Sequence, residues 1–544
     1  MRTRWTDALR TLSVSVLDRR PIEAHRPAIE TAPSRRPDIR GFLARVASPK
    51  TGSKPHEVRS STRAANPFLL GVKLHMQEAI ARAGLSKVES HRLLTPERST
   101  SVRFPVEMDD GSVRLFSGWR IVHSTRRGPG KGGIRFAKGL SKPTVAALAF
   151  EMPDKSSIYG LPLGGAKGGV DVDPESLSTK EIANVMRAYV RAVLDAEWKR
   201  SGEIAFGPEI DVPAPDVGTS PPAINLMEIA ADEYLAWLAR HGQKAVGDHR
   251  VPAALQKIER SVDGTGTPLL DRYLELFRDG AIPNLALAAT FTGKGVDKGG
   301  SRGRSEATGL GVAFAALETL KHDGVLSKDA MRFSGQTVAI QGFGNVGHGA
   351  ARAFAELGAK VEAIAEYDGT AYAIVKPGGF DLQTIDALEA HKKRHGTLRD
   401  FPGIEVVDMK TFWTMSVDVL APSARENEID ARIAASIQAR YIAEGANGPT
   451  TTEADAIFAE RGLTVIPDIF ANAAGVTVSY FEMAQNLAGE SWSQDEVKEK
   501  LYERLSAAFR SIIAIRSEYG ITMRDAAYVA AVVGLTQPIS ASKP

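Results

Sequence analysis

The sequence predicts an α/β protein with two folded domains, one of them a doubly wound sheet, behind a basic N-terminal extension. Three observations carry this. At 544 residues the chain is too long for one hydrophobic core. After Gly309 short apolar runs alternate with helical stretches: Thr337–Gln341 as a strand, about Val346–Leu357 as a helix, and Lys360–Ala365 as the next strand, a βαβ unit. Nearer the N-terminus, Ser101–Met108 and Val113–Val122 alternate apolar and polar residues on either side of Asp109-Asp110-Gly111, the signal of a β-hairpin.

Composition narrows the class. With 43% hydrophobic and 24% charged residues the chain reads as a soluble globular protein, and it has no apolar run long enough to span a bilayer. There is no cysteine, so disulfides, thiolate metal sites and cysteine nucleophiles are excluded. The formal charge of +3 hides an asymmetry: residues 1–65 hold 14 Lys+Arg against 6 Asp+Glu, a net of +8, which leaves −5 for the rest. A mildly acidic body gives no electrostatic case for nucleic-acid binding. Residues 1–65, rich in Arg, Pro and Ser, can bury little apolar surface and read as disordered. They are either a dispensable extension of a cytoplasmic protein or, being Arg-rich and acid-poor, a leader to the mitochondrial matrix; they lack the apolar core of a secretory signal.

Along the folded part, residues 69–84 show helical spacing, the hairpin follows, and helices are expected at about 142–152 and 178–197. Residues 235–282 look helical and amphipathic in places.

The βαβ unit carries a phosphate-binding pattern. Gly342-Phe343-Gly344-Asn345-Val346-Gly347 has the form G-x-G-x-x-G, ends an apolar strand and opens an Ala-rich helix, which is the context that gives the pattern meaning. Gly342 makes the tight turn, Gly344 admits the pyrophosphate to the backbone, and Gly347 lets helix and strand approach. The next strand ends at Glu366, a carboxylate placed to accept from ribose hydroxyls and to repel a 2′-phosphate, which favours NAD while leaving NADP possible. Asp368 reads as a turn residue.

Two glycine-rich segments carry lysines: Lys131 with Gly132 and Gly133, and the stretch from Lys155 to Gly169 that includes Lys167. A lysine among glycines has little side-chain cover and can point into a cleft, so three of them suggest an anionic substrate with more than one carboxylate. Asp216 closes a proline-held stretch from Asp211, and a carboxylate beside a lysine is a natural acid/base pair. Spacing alone leaves open whether Asp216 meets Lys167 or simply caps a turn.

With these motifs in one order, the chain resembles the glutamate/leucine/phenylalanine/valine dehydrogenases from about Asn66 to Asn486. Further matches are Pro96-Glu97-Arg98, Trp119-Arg120 with His123, Asp211–Asp216, Thr292-Gly293-Lys294, Glu306–Gly309, Asp418–Ser423, Glu444–Thr450 and Ile466–Asn472 through Ser479. The resemblance implies a substrate-binding and oligomerisation domain at 66–305 with a helical insertion at about 235–282, a Rossmann-type dinucleotide domain at 306–480, and C-terminal helices at 481–544 returning to the first domain. It implies Lys167 as the catalytic lysine and Asp216 as the proton shuttle. Lys155 would bind the α-carboxylate, and Lys131, with Gly132, and Ser479 the side-chain carboxylate. Thr292 and Val476 would line the substrate or nicotinamide pocket, and Thr308 and Asn447 would contact the nicotinamide end. No metal is implied. A buried ammonium facing an apolar side chain would be left unpaired at roughly 3–5 kcal/mol, so Lys131 favours glutamate, with 2-oxoglutarate and ammonium as products, over leucine or valine. The alternatives are a leucine- or valine-type enzyme and a non-catalytic dinucleotide-binding subunit. The family implies a homo-oligomer, commonly a hexamer. Departures from its pattern are about ten extra residues around Glu197–Phe206, the insertion, and Ala474 where the family usually has glycine.

Overall fold

The computed structural model describes residues 66–202, 205–219, 225–247 and 289–536. The extension 1–65 and residues 248–282 of the expected insertion lie outside them. The first run of elements is α1 (Pro67–Arg82), α2 (Lys87–Leu94), β1 (Arg98–Glu107), β2 (Val113–Ser124), β3 (Gly130–Ala137), α3 (Lys142–Ile158), β4 (Gly165–Asp171), α4 (Thr179–Ser201), β5 (Asp211–Pro215) and α5 (Leu226–Gly247). The second begins with α6 (Ala307–His322), β6 (Thr337–Gln341), α7 (Asn345–Glu356), β7 (Lys360–Tyr367), β8 (Ala371–Phe380), α8 (Leu382–His395) and β9 (Glu405–Val407). It ends with α9 (Met409–Trp413), β10 (Val419–Pro422), α10 (Ala431–Ser436), β11 (Tyr441–Ala443), α11 (Thr452–Glu460), β12 (Thr464–Ile466), α12 (Asp468–Ala471), α13 (Ala474–Ala488), α14 (Gln494–Tyr519) and α15 (Met523–Thr536).

Two sheets organise these elements. The first has the order β1-β2-β4-β3-β5. The expected hairpin pairs antiparallel with Arg98 opposite Val122, β4 runs antiparallel to β2, and β3 is parallel to both β4 and β5. The second has the order β12-β11-β10-β6-β7-β8-β9. Its first five strands are parallel, and β8 and β9 add an antiparallel edge. The strand order reverses between β6 and β10. In such sheets ligands bind in the crevice at the carboxyl ends of the strands beside that switch point.

Local chemistry explains the element ends. Asn66 caps α1 by accepting from Leu69 N, and Pro67 occupies the first turn, where its missing N–H costs nothing. Phe68, Val72, Met76, Ala79 and Ile80 recur at helical spacing and form its buried face. Helix α4 opens on a reciprocal capping box between Ser178 and Glu181 and ends at Gly202, whose φ of 69° is the left-handed stop. It therefore runs past the expected end at 197 and takes up the start of the extra residues there.

Helix α3 departs further from expectation: it passes through Pro153 and continues to Ile158 instead of stopping at 152. Proline removes one helical hydrogen bond, and tertiary contacts hold the far half in its place. Ser157 Oγ donates to Ala531 O at 2.8 Å and Tyr159 OH to Phe470 O at 2.9 Å. As a result Lys155 sits on a buried helix rather than in a glycine loop. The glycine-rich segments are themselves strands, and their glycines serve close packing. A Cβ on Gly132 would stand 1.7 Å from Ala166 O, and one on Gly165 would stand 2.0 Å from Pro153 Cδ. Lys131 and Lys167 are thus carried on rigid strands, which positions a side chain better than a loop does.

The largest core runs without a break from Phe68 of α1 through Val338 and Ile340 of β6 to Val533 of α15. A second core places Phe104, Ile134, Tyr189 and Trp237 between the first sheet and helices α4 and α5. The last described helix, α15, lies against α1 and α3, the second of which packs on the first sheet.

Candidate active site

Lys167 on β4 and Asp216, one residue beyond β5, meet: Lys167 Nζ donates to Asp216 Oδ1 at 2.9 Å. Arg135 on β3 donates from Nε to the other carboxyl oxygen at 2.8 Å. Strand β5 is locked in register by Asp211, which takes Arg120 in a fork at 2.5 and 2.8 Å, with both side chains fully buried. Asp216 N donates to Thr219 Oγ1 at 2.8 Å, and that hydroxyl donates to Ile134 O at 2.7 Å. Burial pulls the Lys167 ammonium below its usual value, with Arg135 adding to the fall and Asp216 opposing it. Burial pushes Asp216 upward, but Lys167 and Arg135 outweigh it and hold the carboxyl well below the usual range. A buried lysine of lowered pKa on an ionised carboxylate is equipped for acid/base work.

Lys131 on β3 is 1% exposed, and its Nζ donates to Thr292 Oγ1 at 2.9 Å. No carboxylate among the described residues bonds to it. Burial and the nearby Arg304 guanidinium drive it well below its usual value. Arg304 Nε donates to Ser479 Oγ at 2.8 Å, so Ser479 and Arg304 stand as one polar group near Lys131. Glu482, one helical turn beyond Ser479 on α13, accepts from Gly293 N at 2.8 and 2.9 Å and from Lys294 Nζ at 2.7 Å. This clamps the turn that carries Thr292. Val476 is buried on the same helix, a turn before Ser479.

Lys155 Nζ donates to Glu151 Oε2 at 3.1 Å and, across to the second sheet's loops, to Asn447 Oδ1 at 2.5 Å. Asn472 Nδ2 donates to the same Asn447 oxygen at 2.9 Å. Behind this contact lies a buried charge network. Arg524 of α15 pairs with Glu444 at 2.6 Å, Asp455 at 2.7 Å and Asp468 at 3.5 Å. Asp468 Oδ2 accepts from Gly448 N at 2.8 Å and Glu444 Oε2 accepts from Asp468 N at 3.0 Å, which fixes the turn that carries Asn447.

Burial pushes Glu151 from its ordinary 4.5 up to about 8, with Lys155 opposing the rise and Asp468 adding to it. The folded protein therefore holds a proton that the unfolded chain has released. That contribution to stability is complete below pH about 4.5 and is lost as the pH climbs towards 8. The thermal midpoint is expected to fall across this window, and Glu151→Gln, which mimics the protonated form, is expected to flatten the fall. Equal slopes in scanning calorimetry would remove Glu151 as the cause.

At the switch point, Gly342 turns with φ 91° and Gly344 precedes the first turn of α7. A Cβ on Gly347 would stand 1.8 Å from Gly342 O, while one on Gly344 would meet nothing within 4 Å. Gly347 is thus closed by helix–strand packing and Gly344 faces open space, as the phosphate-binding pattern requires. Phe343 is buried; Asn345 and Val346 begin α7. Glu366 is already engaged: its Oε2 accepts from Phe343 N at 2.9 Å and from Lys392 Nζ of α8 at 2.7 Å. Thr308, on the first turn of α6, packs on Gly475, where a Cβ would come within 2.4 Å of its hydroxyl. Ala474 lies against Gly311 of α6, whose own Cβ would come within 2.4 Å of the alanine methyl. The alanine is thus matched by a glycine on the facing helix.

The structure joins Lys167 with Asp216 and Lys155 with Asn447, and it puts Thr292 on Lys131. It does not bond Ser479 to Lys131. Sequence reasoning assigned no role to Arg135, Arg304, Glu482 or Lys392. All four act through partners far away in the chain.

A glycine turn at the switch point of a doubly wound sheet, with a buried lysine–aspartate pair on a neighbouring sheet, is the arrangement of an amino-acid dehydrogenase that uses a nicotinamide dinucleotide. Residues 299–541 match the family described as Glutamate/Leucine/Phenylalanine/Valine dehydrogenase, and residues 96–234 match the Glu/Leu/Phe/Val dehydrogenase, dimerisation domain. The chain belongs to this family. It is 38% identical over 457 residues to the NAD-specific glutamate dehydrogenase of Clostridioides difficile, covering 84% of this chain and 93% of that one. It is 35% identical over 475 residues to the NADP-specific glutamate dehydrogenase of Synechocystis, covering 86% and 95%. Among solved structures it resembles glutamate dehydrogenase from Peptoniphilus asaccharolyticus, with TM-score 0.62, 33% identity, and 86% and 97% coverage. It also resembles the hetero-hexameric glutamate dehydrogenase of Thermus thermophilus, with TM-score 0.70, 28% identity, and 89% and 100% coverage.

Proposed function

We propose that the protein is a glutamate dehydrogenase: L-glutamate, water and oxidised dinucleotide give 2-oxoglutarate, ammonium, reduced dinucleotide and a proton, reversibly. The observation that carries the substrate is Lys131, a buried ammonium with no carboxylate partner among the described residues, beside Arg304 and Ser479. A γ-carboxylate satisfies this group, whereas the side chain of leucine or valine leaves it unpaired. Lys155, bonded to Asn447, takes the α-carboxylate, and Thr292 and Val476 line the substrate or nicotinamide pocket. Gly342–Gly347 would hold the dinucleotide, with Thr308 and Asn447 at its nicotinamide end, and when bound it would supply the acceptor for the hydride of Cα. Lys167 activates the water that attacks the resulting imine and stabilises the oxyanion, and Asp216 carries protons to and from the leaving ammonia.

The test is steady-state turnover with glutamate, leucine, valine and phenylalanine, each with NAD and NADP. Leucine or valine preferred by tenfold or more would overturn the substrate. Lys131→Leu is expected to raise the glutamate KM by about a hundredfold or more, the kinetic equivalent of roughly 3 kcal/mol. An unchanged KM would move the γ-carboxylate elsewhere.

NAD is the preferred cofactor in this reading, with NADP accepted. Glu366 disfavours a 2′-phosphate and Lys392, 2.7 Å away, offsets that charge. Glu366→Ser is expected to shift the ratio of kcat/KM towards NADP; a constant ratio would remove Glu366 from cofactor choice. We place the protein in the cytoplasm as a homo-oligomer, and the bacterial relatives give a mitochondrial destination no support. The match of residues 96–234 to a dimerisation domain and the exposed Val113 and Leu115 on the hairpin favour self-association, with six copies expected by light scattering.

A further inference from the structure

At the C-terminal end of α8 and in the turn that follows it, two imidazoles and a carboxylate converge. His391 and His395 lie one turn apart on α8, with ring centroids 4.3 Å apart and planes 24° from parallel. Asp400 returns to the same point after the helix ends, its Oδ1 2.9 Å from His391 Nε2. Ligand-capable atoms of all three lie within 4.8 Å of one another, and no other group of this kind occurs among the described residues.

We propose that His391, His395 and Asp400 form a binding site for a divalent transition ion of the zinc class. Two histidines at i and i+4 share one helix face, so a single ion can take both without distorting the helix. Nitrogen and oxygen ligands at about 2.0–2.2 Å from a tetrahedral ion are the zinc pattern, and imidazole ligands exclude a calcium- or magnesium-type preference. The remaining position is left to water. His395 and Asp400 are exposed, so the ångström-scale closure needed is a side-chain movement only.

The third ligand is held in advance. Gly396, with φ 75°, ends α8 and reverses the chain. The turn that follows is tied down: Arg399 grips Asp368 at 2.8 and 3.2 Å and stacks 3.8 Å over the Tyr372 ring, while Leu398 N donates to Tyr372 OH at 2.8 Å. Phe401 packs edge-on against His391, fixing its ring. Three nearby cations are engaged elsewhere: Lys392 is bonded to Glu366, Lys393 to Glu389 and Arg399 to Asp368. An ion here would fasten the end of α8 to its following turn, one residue from the lysine that reaches the glycine turn.

The test uses the full-length, tag-free protein, stripped with chelator and titrated with Co2+ followed by visible absorption and with Zn2+ by calorimetry. One ion per chain is expected, with the absorption of a four- or five-coordinate cobalt. His395→Ala and Asp400→Asn change exposed residues and leave the fold in place. His395→Ala is expected to weaken binding by about tenfold or more, and Asp400→Asn to weaken it measurably. Lack of a saturable site in the wild type, or undiminished affinity in His395→Ala, overturns the proposal. Glutamate turnover in the metal-free enzyme is a separate measurement and does not bear on it.

Discussion

Replacing Lys167 with alanine is expected to lower kcat by about a thousandfold or more, within the range for loss of a positioned acid/base group. The lysine is buried on a strand, it shares Asp216 with Arg135, and its pKa is drawn down by its surroundings. No neighbour can reach in to replace it. Binding of reduced dinucleotide, followed by fluorescence, is expected to stay near wild type, because Lys167 bonds to nothing on the dinucleotide domain among the contacts described. Lys167→Arg separates charge from chemistry: it keeps the pairing with Asp216 but cannot give up its proton. Near-normal kcat in either variant would remove Lys167 from the reaction.

The largest expected effect on stability comes from Arg524. Arg524→Ala leaves Glu444, Asp455 and Asp468 packed together without their guanidinium, and breaking such a buried network costs about 3–5 kcal/mol. The burial that already raises Glu444 would then lose the charge that most opposes it. Heat inactivation is expected to begin several degrees lower, and the second variant Arg524→Ala with Glu444→Gln is expected to regain part of the loss. A midpoint within a degree of wild type would mean that the network is already neutralised by protons. Arg524→Ala is also expected to raise the glutamate KM, because Glu444 and Asp468 hold the turn that presents Asn447 to Lys155.

What could be read from the residues alone follows a physical boundary. Strand Thr337–Gln341, the glycine turn and the helix after it were legible because each is written in contiguous residues with local rules: apolar run, tight turn, Ala-rich helix. The hairpin was legible for the same reason. The passage of α3 through Pro153 was not, since the contacts that support it come from Ala531 and Phe470, hundreds of positions away. The antiparallel β8 was hidden by Pro377-Gly378-Gly379 inside the strand, which the register accommodates as an irregularity between Val361 and Ala363. At the site, the glycines around Lys131 and Lys167 suggested open loops, but they proved to be packing residues of strands. Arg304 on Ser479 and Glu482 on the Thr292 turn join residues 175 and 189 positions apart, beyond any local pattern.

In the proposed reading Lys131 and Arg304 together serve the substrate's side-chain carboxylate, and this bears on how such a pocket can drift over generations. With an aliphatic substrate, exchanging one for an apolar residue leaves the other without a substrate carboxylate to meet, and the intermediate serves neither an acidic nor an aliphatic substrate well. A lineage starting from this pocket cannot reach a branched-chain amino acid by a single codon change that is advantageous at once. The paired charges therefore act as a ratchet on ancestry, keeping descendants on dicarboxylic substrates until both positions change together.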